Sequence, residues 1–328
     1  MDVVSDAISA VRAGRPSSNR LRVGGRWCTR FDPYEGAGFH VVLAGGCWLL
    51  PDGGGDPVTL HTGDVVLLPH GAGHVLADRP AGAAEVARAV PFDQVREGAA
   101  GGGAARGGAR GADEGVGVGG DEGDRGDEGG RGPVVELLCG KYRLDRSRTH
   151  PLMAELPQVV HLPHRVGVHP ELRSALDLLA RELDERRPGA CLALPSLLDL
   201  LLIYMVRAWM TEAAVGAWPA VLDDPVTTAA LRALHSDPAA AWTNDRLATA
   251  AGVSRATLAR RFTALVGRPP MAYLTWWRLT LAAARLRDTD APLVKVAQET
   301  GYSSPYALSH AFSREFGITP GRYRAART

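Results

Sequence analysis

The sequence predicts an α+β chain in three parts: a β-rich N-terminal domain, a helical connector and an all-α C-terminal domain. Short apolar runs alternate with glycine-containing turns up to Asp78, and apolar residues recur at helical spacing from Pro170 onward. The charge also changes sign along the chain. At 328 residues the chain is long enough for two or three cores. We predict boundaries at 1–166, 167–221 and 222–328.

The composition is that of a cytosolic globular protein. The chain has four cysteines: Cys28, Cys47, Cys139 and Cys191. They form no CxxC pair, so neither a disulfide framework nor a zinc finger is predicted. The N-terminus lacks a basic start followed by an apolar core, and the richest apolar run is interrupted by Asp199 and Arg207. We therefore expect a cytoplasmic protein with no secretory signal and no membrane contact.

The region from about Leu21 to Asp78 predicts an antiparallel β sandwich or barrel, because short runs of period two are separated by turn residues. Residues 98–132 differ, since nearly half are glycine and the only larger apolar side chains are Val116 and Val118. Such a segment buries too little apolar surface to offset the entropy of ordering it. We expect a disordered loop inserted into the β domain, after which "PVVELLCGKYRL" resumes as a strand.

Two connector helices are predicted next. The apolar face of the first consists of Leu172, Leu176, Leu179 and Leu183. Pro188 and Gly189 are its stop signals, and the second helix begins at about Pro195. Its apolar side consists of Leu198, Leu201, Leu202, Met205 and Trp209. These faces fit either two core helices or a dimerisation surface, and both interpretations need the same apolar stripe.

The C-terminal third of the chain is basic, whereas the rest is acidic. Residues 225–328 contain 14 Lys and Arg and 6 Asp and Glu, a net charge of +8, whereas residues 1–224 carry −7. Such an asymmetry is typical of a nucleic-acid-binding module joined to a different domain.

A helix-turn-helix unit is predicted within this basic region. Its first helix ends near His235, Thr243 caps the second, Gly252 permits the tight turn and Ser254 caps the third. The inward residues of the third helix are Leu258, Phe262 and Leu265. Its outward residues are Arg255, Ala256, Thr257, Arg260 and Arg261. An arginine face on a capped helix fits a DNA major groove, where arginine reads guanine and contacts phosphate.

The same pattern repeats in "APLVKVAQETGYSSPYALSHAFSREFGITPGRYR". Pro292 opens a helix, Gly301 makes the turn, and Ser303 or Ser304 caps the next helix. The inward residues are Val296, Ala297, Leu308, Phe312 and Phe316. The outward residues are Pro305, Tyr306, Ser309, His310 and Arg314. The two units are joined by a helix through "PMAYLTWWRLTLAAARLRD", so they can enter successive major grooves, about 34 Å apart on one DNA face.

The segments "AAGVSRATLARRFTALVGRPPMAYL" and "GYSSPYALSHAFSREFGITPGRYR" resemble the DNA-binding region of AraC/XylS family transcription regulators over roughly residues 222–326. The resemblance implies base contacts from Arg255, Ala256, Thr257, Arg260, Pro305, Tyr306, Ser309 and His310. Family members commonly carry longer polar side chains where Ala256 and Pro305 stand here. Those two positions are therefore expected to touch only methyl groups or backbone.

A second resemblance concerns "GDVVLLPHGAGHVLAD", which is similar to the second motif of the cupin barrel. The matching residues are Gly63, Pro69, Gly71, His74 and Asp78. "GFHVVLAGGCWLL" then corresponds to the first motif and retains His40. A histidine two positions later and a glutamate further along the strand are missing, and a divalent metal usually needs three or four ligands. We expect no metal or other cofactor, and we expect His40 and His74 to be structural or to contact a ligand at the barrel mouth.

Some relatives with this pairing of domains sense oxidants or electrophiles through cysteines. Cys28 and Cys139 lie at strand-like positions and could meet across the barrel, with Arg26, Arg30 or Lys141 lowering a thiol pKa. The alternative is that both are inert packing residues.

Together these features predict a sequence-specific transcription regulator that is not an enzyme and that answers to a small-molecule or redox signal. The predicted partners are double-stranded promoter or operator DNA, an unknown small-molecule effector, a second copy of the chain, and RNA polymerase if the protein is an activator. One alternative is a metal-dependent cupin enzyme with a helical tail, which requires a metal set that this sequence lacks. Another is a non-specific nucleic-acid binder, which predicts a steep salt dependence without preference between sites.

Overall fold

The computed structural model describes residues 3–11, 14–95, 134–144, 150–185, 187–212 and 217–326, and it confirms the predicted α+β class. The glycine-rich segment predicted to be disordered, 98–132, lies outside the described residues.

The N-terminal domain is built from two sheets. Its strands are β1 (Ser17–Val23), β2 (Cys28–Phe31), β3 (Ala37–Ala44), β4 (Gly46–Pro51), β5 (Val58–His61), β6 (Val65–Leu68), β7 (His74–Ala77), β8 (Val90–Pro91), β9 (Val135–Tyr142) and β10 (Val160–Leu162). Among the described residues, one sheet has the order β1-β9-β3-β6-β10 and the other β5-β4-β7-β2-β8. Neighbouring strands are antiparallel except for the short β2–β8 pair. The two sheets have no strand in common. In the described part of the domain the predicted barrel is therefore two facing sheets that do not close.

The first sheet is buried on both faces. Alternate residues such as Val42 and Leu137 point between the sheets, where they meet Leu49 and Leu76 of the second sheet. Residues on the other face, including Phe39, pack against helices instead. This double burial explains the long apolar runs in β3 and β6.

The helices are α1 (Val3–Val11), α2 (Ala83–Val86), α3 (Pro151–Glu155), α4 (Pro170–Glu185), α5 (Ala190–Glu212), α6 (Ala217–Asp223), α7 (Pro225–Ser236), α8 (Asn244–Ala250), α9 (Arg255–Val266), α10 (Pro270–Asp288), α11 (Leu293–Glu299), α12 (Pro305–Phe316) and α13 (Pro320–Ala325). Helices α4 and α5 pack on each other and on the outer face of the first sheet through buried residues such as Leu176 and Leu201. These contacts support the first of the two interpretations, in which α4 and α5 are core helices.

Helix α5 differs from the sequence-based expectation in two ways. It begins at Ala190, five residues before the predicted start, and Pro195 lies inside it. It is also the one helix among the described residues whose length and composition would allow it to cross a membrane, whereas the sequence was expected to contain no such run. Leu198, Leu201 and Met205 of this helix are buried against the sheet and α4, whereas 28% of its most apolar stretch as a whole is buried inside the molecule.

The C-terminal region is an internal repeat with an offset of 50 residues. Ser254 and Ser304 are both N-caps, and their side chains accept a hydrogen bond from the backbone N–H three residues later. Gly267 and Gly317 both end the recognition helices in the left-handed conformation, at φ +75° and +71°. The buried pairs are likewise offset by 50: Leu258 with Leu308, and Phe262 with Phe312. The predicted helix-turn-helix units are thereby confirmed, and the open choice of cap falls on Ser304.

Helix α10 belongs to both units, because it closes the first and opens the second. Arg278 of α10 donates from Nε to Pro238 O at 2.7 Å and from Nη2 to Ala240 O at 2.8 Å. These bonds tie the shared helix to the α7–α8 loop, directly beside the turn at Gly301. The relative position of the two units is thus fixed by a helix and by a partly buried guanidinium contact.

The two turn glycines provide a matched pair of substitutions. Both have positive φ (+68° at Gly252, +77° at Gly301), but an added Cβ meets nothing within 4 Å at Gly252, whereas at Gly301 it lies 2.8 Å from Ala239 Cα and 2.9 Å from Arg278 Cζ. We expect Gly252→Ala to lower the free energy of unfolding by about 1 kcal/mol through backbone strain. Gly301→Ala should cost at least about 1 kcal/mol more through the added clash. Urea unfolding of both variants checks this, and equal losses would contradict the packing at Gly301.

Candidate DNA interface and ligand site

Helix α9 presents one buried and one exposed face, as predicted. Ser254 Oγ accepts the Thr257 N–H at 3.2 Å, which starts the helix directly after the turn. Leu258 and Phe262 are fully buried, whereas Arg255 and Arg260 lie in solvent. Their guanidinium groups are therefore available to a partner of opposite charge.

Two of the predicted α9 contacts are engaged within the protein. Arg261 forms an ion pair with Asp224 at 3.2 Å, and Asp224 is the N-cap of α7. The Thr257 hydroxyl lies 2.9 Å from Ser254 Oγ. Arg255 and the exposed Asp245 form a long ion pair of 4.0 Å, which the surrounding water screens strongly. Among the described residues Arg260 has no ion-pair partner, so it is the least committed cation on this face.

Helix α12 carries the corresponding face of the second unit. Tyr306 is 81% exposed, and its ring lies at one end of a shallow depression bordered also by Ser309, His310, Ser313 and Arg314. Pro305 occupies the first position of the helix, where its missing N–H has no helical partner to lose. A polar depression with an exposed aromatic ring and a cation is suited to contact with a nucleic-acid edge and its phosphates.

The sheets place the two predicted ligand-contacting histidines together. His40 on β3 and His74 on β7 come from opposite sheets, and their Nε2 atoms are 2.7 Å apart. They border a cavity of about 390 Å³ at one end of the space between the sheets. Phe31 stacks on His74 with ring centroids 4.9 Å apart and meets His40 edge-on. The volume lies in the range of small-molecule sites.

The hydrogen bonds of this pair assign its protons. His74 Nδ1 lies 3.1 Å from Ala72 O, which can only accept, so His74 Nδ1 carries a proton. A neutral His74 then accepts at Nε2, and His40 must donate from its own Nε2. Burial, together with the neighbouring His74, holds the pKa of His40 well below its usual range, so both rings are neutral near pH 7.

Among the described residues, no group of three or more His, Cys, Asp or Glu is placed to hold a metal ion. His40 and His74 are joined by a direct hydrogen bond between their rings. Two metal ligands would instead both point a lone pair at a common metal ion.

The proposed meeting of Cys28 and Cys139 does not occur. Thr29 and Phe31 point between the sheets, so strand alternation turns Cys28 to the outside, toward Glu85 of α2. Cys139 lies inside the sandwich, with Cys47 as its neighbouring thiol. Burial raises the pKa of both predicted thiols, and Glu85 and Asp78 raise the pKa of Cys28 further. These directions oppose the thiolate that the redox hypothesis requires.

Sequence reasoning missed a buried cluster that joins the N-terminal region to the first helix-turn-helix unit. We name it the interdomain latch: Asp6, His150, His235 and Tyr273. The Tyr273 hydroxyl lies 2.7 Å from His235 Nε2 and 3.2 Å from His150 Nε2, and His235 Nδ1 lies 3.1 Å from Asp6 Oδ2. Each of these residues is at most 8% exposed. The contacts span up to 229 residues of sequence, so no local pattern could have revealed them.

One proton arrangement satisfies the whole latch. His150 donates from Nε2 to the Tyr273 oxygen, Tyr273 donates to His235 Nε2, and His235 donates from Nδ1 to the Asp6 carboxylate. His150 is then neutral. Burial first, and the nearby His235 second, hold the pKa of His150 well below its usual range. Val3 and Ala7 of α1 pack into the same core, so the latch lies within an apolar contact.

Comparisons with known proteins find a family match for the N-terminal part of the chain and another for the C-terminal part. Residues 2–211 match the family model described as Cupin, and residues 247–326 match the one described as Helix-turn-helix domain. A Streptomyces lividans protein described as an AraC-like transcription regulator is 35% identical over 326 residues, covering 99% of this chain and 98% of the relative.

Two further similarities are to a full-length relative and to a solved domain. The HTH-type transcriptional regulator MtrA of Neisseria gonorrhoeae is 27% identical, over 99% of this chain and 98% of that protein. A crystal structure of the DNA-binding domain of AdpA, described as the global transcriptional factor in complex with a target DNA, is 35% identical. It covers 32% of this chain and 93% of that one, at a TM-score of 0.30.

The histidine pair gives a pH prediction. Burial lowers the pKa of His74 to about 4, whereas an unfolded histidine titrates near 6.5. As pH falls below about 6.5 the unfolded chain takes up this proton first, so the free energy of unfolding should fall by up to about 1.4 kcal/mol per pH unit for this group. Histidine NMR should place the His74 midpoint near 4, and a midpoint near 6.5 would contradict the buried pair. The His74→Phe variant should show a shallower pH dependence of stability.

Proposed function

This chain belongs to the AraC-like transcription regulators that carry an N-terminal cupin domain, and on that premise we propose that α9 and α12 bind operator DNA under the control of a ligand between the two sheets. The observation that carries this proposal is the 50-residue repeat, which presents two capped helices with exposed polar and basic faces. Exposed faces of this kind, each opening directly after a glycine turn, fit two successive major grooves.

The proposed DNA contacts fall into two groups. Base-edge contacts are assigned to Arg255, Arg260, Tyr306, Ser309 and His310, with van der Waals contact from Ala256, Thr257 and Pro305. Arg314 is assigned a phosphate, and Arg261 a supporting role because Asp224 already holds it. Helix α10 has 19 residues, which at 1.5 Å per residue gives about 28 Å between the units. That length supports binding to neighbouring turns of one duplex.

The proposed effector site is the cavity bordered by His40 and His74. It is bordered by strands of both sheets and combines aromatic walls with polar and charged groups. We propose a binding role for this cavity and no enzymatic reaction, because the described residues form no metal set and burial raises the pKa of the Cys139 thiol that borders the cavity.

Coupling between the cavity and the DNA-binding region is proposed to run through one chain of contacts. The Tyr34 N–H at the cavity donates to Gly71 O at 3.1 Å, and the preceding His70 bonds Leu156 O through Nε2 at 2.7 Å. Leu156 directly follows α3, whose first turn is anchored at His150 O. His150 then reaches Tyr273 on α10. A ligand that shifts Tyr34 would therefore bias the latch, and DNA binding would bias the cavity by the same free energy.

A second copy of the chain is the proposed partner for the outward side of α4 and α5. Leu178, Leu192 and Leu200 are 46%, 74% and 36% exposed there, beside the buried face that packs on the sheet. Dimerisation would place two DNA-binding regions on two half-sites. If the protein activates transcription, RNA polymerase is the further partner.

DNA binding is tested by charge removal at matched sites. We expect Arg260→Ala to weaken binding to a genomically mapped operator by about 5- to 100-fold, because a base-reading arginine contributes about 1–3 kcal/mol. Arg314→Ala should weaken binding to all sequences and reduce the salt slope by about one. Arg181→Ala, which removes an exposed arginine from α4, should leave affinity unchanged. Fluorescence anisotropy at several salt concentrations measures all three, and unchanged binding by Arg260→Ala would refute the interface.

The latch is tested by a single-atom change. Tyr273→Phe removes the hydroxyl at its centre, and Tyr323→Phe makes the same change at the repeat-equivalent position of the second unit. In the wild type we expect operator binding to change hydrogen exchange in α1 and α3, since linkage is reciprocal. Tyr273→Phe should abolish that change and speed exchange in α1, whereas Tyr323→Phe should preserve it. An identical response in the wild type and Tyr273→Phe would show that the latch carries no coupling.

A further inference from the structure

We propose that the cavity between the sheets binds a neutral aromatic molecule bearing a hydroxyl group, of the phenol or naphthol class. This inference rests on the proposed effector role of that cavity and names the chemistry of its ligand.

The charged groups at the cavity are engaged within the protein. Arg30 bonds to Asp52 and lies 3.7 Å from Asp32, and the Lys141 ammonium lies 5.8 Å from the centre of the Tyr34 ring. A carboxylate that bound Arg30 would therefore have to displace an existing partner. A neutral ligand leaves these contacts intact and needs no buried counter-charge.

Aromatic rings form much of the wall. Phe31 stacks between His74 and Phe92, with centroid separations of 4.9 and 4.7 Å and interplanar angles of 6° and 25°. Tyr34 and Phe92 also border the cavity. Planar apolar bodies pack well against such rings, and the volume of about 390 Å³ accommodates a one- or two-ring molecule.

Two buried polar atoms at the cavity have no hydrogen-bond partner among the described residues: His40 Nδ1 and Tyr34 Oη. The proton assignment above makes His40 Nδ1 a lone-pair acceptor, and His40 is only 3% exposed. Burial raises the pKa of Tyr34 above its usual range, so its phenol stays protonated and can donate. Two residues that border the cavity therefore carry one unmet acceptor and one unmet hydroxyl.

The position of these atoms brings them to the same region. An added Cβ at Gly38 would lie 2.5 Å from Tyr34 Oη, so the hydroxyl occupies space that only glycine leaves open. Gly38 precedes His40 by two residues on β3, so both project into the sandwich about 7 Å apart along the strand. The Tyr34 hydroxyl and the His40 ring therefore lie at neighbouring inward positions along β3, beside the same cavity.

A ligand hydroxyl is the group that meets both requirements, because it donates one proton and accepts through its lone pairs. A carboxylate only accepts and leaves His40 Nδ1 without a donor. A hydrocarbon or an ether cannot donate either. The pattern of unmet groups thus selects a hydroxyl rather than an acid or a plain apolar body.

The test uses three probes with the same two-ring body: 2-naphthol, 2-methoxynaphthalene and 2-naphthoate. Isothermal titration with the full-length protein should show 2-naphthol binding at least about tenfold more tightly than the other two. Tyr34→Phe should lose about tenfold in affinity for 2-naphthol, because the ligand oxygen loses its donor. Tyr204→Phe, on α5, is the matched control and should bind as the wild type does.

Three outcomes overturn the inference: 2-naphthoate binding most tightly, 2-methoxynaphthalene equalling 2-naphthol, or none of the probes binding, which would indicate a site for water only. Operator binding by the same preparations keeps the two proposals separate. Intact DNA binding without 2-naphthol binding would defeat the ligand inference alone. Selective 2-naphthol binding by a protein that binds no operator would defeat the proposed regulator function and leave the ligand inference standing.

Discussion

The Tyr273 hydroxyl is the point on which the relation between the two halves of the chain depends. It is bonded by His235 of its own unit and by His150 from the N-terminal region, and all three residues are buried. A buried polar group left unpaired costs about 1–3 kcal/mol, so removing any member penalises those that remain. Such a cluster specifies one docking geometry more sharply than the surrounding apolar contacts of α1 can, because those contacts tolerate small rotations.

The repeat makes this arrangement asymmetric. Tyr273 and Tyr323 occupy equivalent positions, and each packs edge-on against the phenylalanine of its unit, with centroid separations of 5.6 and 5.3 Å. The first tyrosine has also been recruited into the contact with the N-terminal region. One unit is therefore positioned by the sensor, whereas the other is positioned through α10 and the Arg278 contact. A change at the sensor would reach the second unit only as a change in the direction of α10.

The sequence predicted what depends on local chemistry. Caps, turn glycines and the alternation of buried and exposed residues are visible at Ser254, Gly252 and Phe262, because each acts within a few residues of itself. The outward direction of Cys28 was missed because it depends on strand phase, in which one residue reverses the face. The early start of α5 was missed because packing overrides the helix-breaking tendency of Pro195.

The features that the sequence did not predict depend on contacts between residues far apart in the chain. The Arg261–Asp224 pair joins residues 37 positions apart, and the latch joins residues up to 229 apart. A single sequence shows only that such residues are polar or basic, so Arg261 looked equivalent to Arg260. The structure distinguishes the two, because Arg261 pairs with the N-cap of α7, whereas Arg260 has no ion-pair partner among the described residues.

The division of α9 and α12 into a packed side and a solvent side affects how such a protein can change over generations. Substitutions on the solvent side disturb few contacts and typically alter stability by less than about 0.5 kcal/mol. Operator preference can therefore drift while the scaffold persists, and descendants of one ancestral gene can acquire distinct regulons without rebuilding their fold.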